Sequence, residues 1–386
     1  MHVPYIDLGL QYRTLEGPID SAIKEVLSSG SYILGKQLEA FEKEFAQYHG
    51  VAEAVGVASG TDALELALRA VGVKAGDEVV VPAFTFVATA EAVLHLGAKP
   101  VFVDVEPDTL TLDPDRFEAA ITNKTRAVIP VHLYGQPCDM ERIVGVAKAK
   151  GIWVIEDCAQ GIGASLDGKK VGTWGEVGCF SFFPTKNLGG CGDGGMVITS
   201  NGELAHRLRR LRNHGASEKY RHIELGRNSR LDELQAAILR IKLSHIDRWN
   251  AARRSVADGY RKAFQEAARE RPIPVRLPVA RADRVHTYHI FAIRVPQRDA
   301  LKAFLNDQGV EALVHYPRAL HRQDLFVSLL PELNGLSLRE SERAAEEVLS
   351  LPIYPEMKPE AVTYVVEQVV RFYRLERCQS ASSRMQ

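Results

Sequence analysis

A chain of 386 residues that is 46% hydrophobic is long enough for two or three units with sizeable cores. Its 48 Lys and Arg against 49 Asp and Glu exclude a general attraction to nucleic acid or acidic membranes and favour a small-molecule partner. Five cysteines, at 138, 158, 179, 191 and 378, are an odd number without a C-x-x-C pair, so reduced thiols in a cytoplasm are expected rather than disulfides or a metal site.

The opening "MHVPYIDLGLQYR" carries no basic region followed by an apolar stretch, and no run approaches the roughly 18 apolar residues of a membrane span, so neither export nor anchoring is expected. Asn123-Lys124-Thr125 is a formal glycosylation sequon, read as chance in that context. From about residue 54 to 200 the runs "AVGVAS", "EVVVPAF", "KPVFVDV", "AVIPVHLY", "IWVIEDC", "GCFSFF" and "GGMVITS" read as strands. Amphipathic stretches such as "DALELALRAVG" and "ATAEAVLHLG" read as helices between them. That alternation predicts an α/β unit with a mainly parallel sheet covered on both faces, with its site beyond the carboxyl ends of the strands. A helical pattern runs from about Leu231 to Glu270; its basic residues read as a solvated face. After "RPIPVRLP" come a strand "HTYHIFAIRV", a helix "DALKAFLNDQG", a strand "VEALVHYP" and two helices, a smaller α+β unit. The division predicted is 1–250 for the large domain with its N-terminal segment and 251–386 for the small one, with a frayed polar tail "CQSASSRMQ".

Residues at the strand ends are the ones to weigh. "GCFSFFPTKNLGGCGDGGM" contains G-x-G-x-x-G from Gly190 to Gly195, the form of a dinucleotide loop. That loop works only when a helix follows, and here Met196-Val197-Ile198-Thr199 reads as a strand. Lys186 stands between an apolar strand and these glycines. A surface lysine in a turn is one reading; a desolvated, nucleophilic lysine suited to Schiff-base chemistry is the other.

Asp157 ends "IWVIED", where it is either a helix N-cap or the carboxylate that keeps a pyridine nitrogen protonated. Ser59-Gly60-Thr61 opens a helix, either by simple capping or as a phosphate site of free amides and a hydroxyl. Ser181 is a strand serine or a further hydroxyl for that phosphate. Phe86 is core or a platform for a planar ring. A lysine, a carboxylate, a phosphate cradle and a ring platform together describe pyridoxal 5'-phosphate.

The order of "GSYILG", "ASGTDALELAL", "DEVVVPAFTFVATAEAVLHLGAKPVFVDV", "VIEDCAQGIGA", "FSFFPTKNLGGCGDGGM", "RNHG", "NSRLDELQAAIL" and "VHYPRALHRQ" resembles the DegT/DnrJ/EryC1/StrS aminotransferases, sugar-nucleotide enzymes of the fold type I pyridoxal-phosphate class. The resemblance covers nearly the whole chain. It implies that Lys186 holds the cofactor covalently and that Asp157 pairs with the pyridinium nitrogen. Gly60, Thr61 and Ser181 would bind the phosphate, Phe86 would stack on the ring, and Gln160 would lie beside its phenolic side. Asn228 would reach the phosphate of the other subunit, implying a homodimer with shared sites. Arg230, His315 and Tyr316 would line the substrate pocket. Local alternatives stand beside these: Asn228 and Ser229 could start a helix, Arg230 could be a surface ion-pair partner, and His315 could sit in a β-turn.

One branch of the family carries histidine in place of the lysine and dehydrates instead; Lys186 points to transamination. Another branch, which keeps the lysine, uses an iron–sulfur cluster, for which these cysteines lack a recognisable spacing. The expected reaction is a ping-pong exchange in which L-glutamate gives its amine to the cofactor and a nucleotide-linked keto-hexose takes it. The substrate is expected to be a 3-keto sugar on dTDP or UDP, a 6-deoxyhexose or an N-acetylated uronic acid, with amination at C3 or C4. The product is an amino sugar for a surface polysaccharide or glycosylated metabolite. The competing reading is a regulator that holds the cofactor or a sugar nucleotide without turnover.

Overall fold

The computed structural model describes residues 1–279 and 281–382. Seven strands form the main sheet: β1 (Glu53–Val57), β2 (Glu78–Pro82), β3 (Lys99–Val103), β4 (Thr125–Val128), β5 (Trp153–Asp157), β6 (Val177–Ser181) and β7 (Gly195–Thr199). Their order across the sheet is β1-β7-β6-β5-β4-β2-β3. β3, β2, β4, β5 and β6 pair in parallel, while β7 is antiparallel to both β6 and β1. Six strands therefore end on one edge, and β7 alone begins there. That single reversal brings Gly194 and Gly195 to the edge where the carboxyl ends of β1, β5 and β6 deliver their loops.

Side chains alternate across each strand, so each face collects every second residue. Val55, Val57, Ile155, Cys179 and Val197 face one layer, with the Gly60–Ala70 and Gly202–Leu211 helices. Ala54, Phe180, Met196 and Ile198 face the other, against the Lys36–His49 and Glu233–Leu243 helices. This is the doubly covered α/β architecture expected of fold type I enzymes. Glu233 fastens the second layer: its carboxylate accepts from the amides of Gly35, Gln37 and Leu38, each at 2.9 Å, at a helix start where such amides lack helical partners.

Beyond residue 245 the Ile246–Glu270 and Pro359–Ser382 helices pack on a two-stranded sheet of β8 (Phe291–Arg294) and β9 (Val348–Leu351). Ile246 and Trp249 still belong to the large-sheet core, whereas Val256, Tyr260 and Phe264 belong to the second.

Three expectations change. The pattern from Leu231 to Glu270 is two helices, broken at Ser244–His245, where the Ser244 hydroxyl donates to Ile241 O at 2.7 Å and no Gly or Pro marks the stop. "VEALVHYP" is not a strand; it makes only isolated bridges, Val310 to Val3 and Leu313 to Ser350, because β9 takes the place beside β8. Three helices, Leu8–Arg13, Glu16–Ser29 and Lys36–His49, also precede β1. Of the tail, residues 378–382 continue the last helix, and the remainder lies outside the described residues.

A Cβ on Gly195 would collide with the Ser59 carbonyl and come within 2.9 Å of Gly60 N. Gly195→Ala should therefore destabilise the fold by about 1–3 kcal/mol in urea unfolding, as overpacked sites do. Gly145→Ala, on a helix where a Cβ meets nothing within 4 Å, should instead stabilise by about 0.5–1 kcal/mol. Equal stability of the Gly195 variant and the unsubstituted protein would contradict the close approach.

Candidate active site

A cavity of about 460 Å³ opens at the carboxyl edge of the sheet, a size suited to a small ligand. Gly60, Thr61, Phe86, Asp157, Gln160, Ser181, Lys186, His315 and Tyr316 all line it, delivered by the last residues of β5 and β6, by the segments that follow β1, β2, β5 and β6, and by the 315–316 turn. Asn228 and Arg230 do not line the cavity of their own chain. Asn228 bridges to Asn213, and Arg230 donates to Asn213 Oδ1 at 3.2 Å.

Asp157 is the last residue of β5 and is 5% exposed. Its strand is prolonged by Asp157 N to Pro130 O at 2.9 Å and His132 N to Asp157 O at 3.1 Å, so the carboxylate leaves a fixed main chain. Oδ2 accepts from Thr89 Oγ1 at 2.9 Å and Oδ1 from Ala159 N at 3.1 Å. Burial pushes this carboxyl up, and the two hydrogen bonds and the charge of Lys186 oppose that rise. No helix begins directly after Asp157, so it is not a helix N-cap; the bond to Ala159 N closes a turn.

Lys186 follows β6 on a turn closed by its own N–H to Phe183 O at 2.8 Å. Its amine has no hydrogen-bond or ion-pair partner among the described residues. Desolvation lowers it to about 8, against the raising influence of Asp157. Burial, and second the charge of Lys186, also hold His289 and His315 low, His315 at about 4, so both imidazoles are neutral near pH 7. A neutral nucleophilic amine facing a carboxylate is within reach at ordinary pH.

The residues expected to hold a phosphate are closely packed. Ser59 Oγ caps the Gly60–Ala70 helix by accepting from Asp62 N at 3.1 Å, and Ser59 O takes Ala63 N at 3.0 Å. The amides of Gly60 and Thr61 have no partner among the described residues. A Cβ on Gly60 would stand 2.7 Å from Ser181 Cβ, so the helix start and the end of β6 touch directly. Two free amides at a helix N-terminus with two hydroxyls beside them suit a phosphate dianion. Together with an unpartnered lysine amine and a carboxylate, these residues fit pyridoxal phosphate.

Gln160 is locked, its Oε1 accepting from Tyr134 N at 2.7 Å and its Nε2 donating to Tyr316 OH at 3.0 Å. Tyr134 OH donates to His315 O, which ties the "HYP" turn to the large sheet. Phe86 is 52% exposed at the mouth, its ring 5.8 Å from that of Tyr316.

Sequence reading missed His289, Thr89, Tyr134 and Tyr5. His289 had one usable signal, its place at the start of the "HIFAIR" run; Thr89 looks like any helical threonine until Asp157 is seen opposite it. His132, Glu156 and Cys158 offer ligand atoms within 4.8 Å of one another. The Glu156 oxygens are already engaged by His132 and by the amides of Gly172, Trp174 and Gly175.

Fold and site together define a lysine-centred α/β enzyme with an anion cradle at its sheet edge. The chain belongs to the DegT/DnrJ/EryC1/StrS aminotransferase family, whose sequence model matches residues 14–370. It is similar to a "pleiotropic regulatory protein" of Geobacillus stearothermophilus, 48% identical over 97% of this chain and 99% of the relative. It is also similar to a UDP-N-acetyl-3-dehydro-alpha-D-glucosamine 3-aminotransferase of Acidithiobacillus ferrooxidans, 46% identical over 96% and 97% of the two chains. Among solved structures, DesV of S. venezuelae in complex with a ketimine intermediate superposes with a TM-score of 0.92 at 44% identity, covering 96% and 98%. NtdA of Bacillus subtilis with bound cofactor PMP gives 0.89 at 35%, covering 96% and 85%.

Reaction of Lys186 with a small amine-directed reagent, followed by mass spectrometry of its peptide, should rise with pH through about 8 rather than 10.5. Asp157→Asn, which removes the group that raises the amine, should move that midpoint lower still. A midpoint near 10.5 would show that the amine is not desolvated.

Proposed function

We propose that the protein is a pyridoxal 5'-phosphate-dependent aminotransferase that converts the keto group of a nucleotide-linked hexose to an amine, with L-glutamate as donor. The carrying observation is the Lys186 amine, desolvated, unpartnered and in one cavity with the Asp157 carboxylate. When bound, pyridoxal phosphate supplies an aldehyde that condenses with amines and a ring that accepts the electron pair released at the neighbouring carbon.

Asp157, held by Thr89 and Ala159, keeps a proton on the ring nitrogen. Gly60, Thr61 and Ser181 would hold the phosphate through amides and hydroxyls. Phe86 would cover one face of the ring, and Gln160, bonded to Tyr316, would lie beside it. The free Lys186 amine would take the proton from the donor Cα as a base and return it as an acid. Its low proton affinity lets it do both near neutral pH. His315 and Tyr316 stand where the sugar would enter.

The amine acceptor is a 3-keto hexose linked to dTDP or UDP, in line with the relatives' activities, and its product is an amino sugar for polysaccharide or metabolite glycosylation in the cytoplasm. No helix among the described residues is long and apolar enough to cross a membrane. The protein acts as a homodimer. Tyr220 at 85%, Leu225 at 78% and Ile223 at 55% exposure stand on one hairpin next to Asn228, an apolar surface that a second copy would cover. Asn228 and Arg230 then serve the partner's cavity. Residues 1–250 form the cofactor-bearing unit and 251–386 the smaller one. The regulatory name of one relative favours a non-catalytic reading, which gives no reason for an activated lysine opposite a carboxylate.

Adding L-glutamate to the pyridoxal-phosphate-loaded protein should replace its visible absorbance by that of the pyridoxamine form, and Lys186→Ala should slow this at least a thousandfold, on the order of lost acid–base catalysis. No spectral change with glutamate or any other amino donor would favour the regulator. Leu225→Asp should shift the protein toward monomer in sedimentation; an unchanged species would remove the hairpin from the interface.

A further inference from the structure

Directly after Lys186 in the chain stands Asn187, 4% exposed and outside the cavity lining. Its Nδ2 donates to Asn250 Oδ1 at 2.8 Å and to Thr287 O at 3.2 Å. Asn250, 2% exposed on the Ile246–Glu270 helix, donates through its own Nδ2 to Ile162 O at 3.0 Å. Thr287 N donates to Gly135 O at 3.1 Å, and His289 N to Tyr134 O at 2.9 Å. Two uncharged buried amides thus link four segments, directly or through one further hydrogen bond: the lysine turn, the 160–163 turn that carries Gln160, the 287–289 run that carries His289, and through that run the Tyr134–Gly135 turn. Both turn glycines make room. A Cβ on Gly163 would collide with Asn250 Nδ2, and one on Gly135 with Thr287 Oγ1; each glycine has positive φ.

We propose that the Asn187–Asn250 pair is a positioning device for Lys186. It clamps the main chain at the lysine to the long helix and to the 287–289 run, so that the amine swings between its covalent and free states about a fixed root. Resting on the reading of Lys186 as the cofactor-bonding amine, the proposal adds residues that touch neither cofactor nor substrate. The physical reason is that the Asn187 Nδ2 and Asn250 amides, buried and bonded to three separate segments, hold those segments in one arrangement although Asn187 Oδ1 has no partner among the described residues, whereas the long lysine side chain has many arrangements.

The test follows covalent capture of pyridoxal phosphate by the full-length protein freed of cofactor, by stopped-flow absorbance across pH 6–10, beside thermal melting. Asn250→Ala removes the acceptor of Asn187 and the bond to Ile162. It should slow capture about tenfold and raise the pH midpoint from about 8 toward the ordinary lysine value of 10.5, since a loosened turn admits water. Asn250→Asp loses the donor to Ile162 but keeps an oxygen for Asn187, and should recover capture to within about threefold. Asn187→Ala, which cuts the bond from the other side, should behave as Asn250→Ala does and stands in if that variant does not fold. Were both alanine variants to capture at the unsubstituted rate and midpoint while melting earlier, or were Asn250→Asp no better than Asn250→Ala, the clamp would be merely structural and the proposal overturned. Absence of capture by the unsubstituted protein would instead overturn the reading of Lys186 itself, and the proposal with it.

Discussion

Desolvation of one amine opposite one carboxylate is the constraint that the rest of the site serves. An isolated lysine taken out of water is costly in its charged form and becomes a base of ordinary strength, and burial likewise resists the ionisation of Asp157. Each group moderates the other, since Asp157 raises Lys186 and Lys186 lowers Asp157. Thr89 and the Ala159 amide add hydrogen bonds on the carboxylate side, whereas the amine has none among the described residues. That asymmetry leaves the amine free to change partners and the carboxylate fixed.

The sheet supplies the fixity. Asp157 is reached through a parallel ladder whose last residue is still hydrogen-bonded to the 130–132 segment, and Lys186 through a short turn after β6, the neighbouring strand. β7 runs back between β6 and β1, bringing a glycine-rich approach beside the Gly60 helix start. The contact of Ser181 with Gly60 and that of Gly195 with Ser59 leave no space for side chains there, so the cradle is made of backbone amides and small hydroxyls. His289, His315 and Tyr316 line the cavity from segments whose main chain is tied to Tyr134, in the turn after β4.

Much of this was legible in the sequence because the signals were local. Seven apolar runs marked seven strands, and the rule that α/β sites lie beyond strand ends singled out Gly60, Phe86, Asp157, Ser181 and Lys186, which the fold does bring into one cavity. The false G-x-G-x-x-G was separable for the same reason, since a β-branched run follows it. What stayed hidden was long-range. The Thr89–Asp157 bond spans 68 positions, the Asn187–Asn250 bond 63, and the Tyr134–His315 bond 181. The break at Ser244–His245 leaves helical periodicity intact on both sides, and β9 displaced "VEALVHYP" from the second sheet through pairing that no local pattern encodes. Asn228 and Arg230 were singled out by family likeness alone, and the fold leaves both out of the cavity lining of their own chain.

The proposed chemistry requires that Lys186 be the one residue that bonds the cofactor. Borohydride reduction of the pyridoxal-phosphate-loaded protein, followed by proteolysis and mass spectrometry, reads this directly. The predicted result is a single phosphopyridoxyl group on the peptide that contains Lys186. Attachment spread over surface lysines, or none at Lys186 under conditions where the protein is fully loaded, would contradict it.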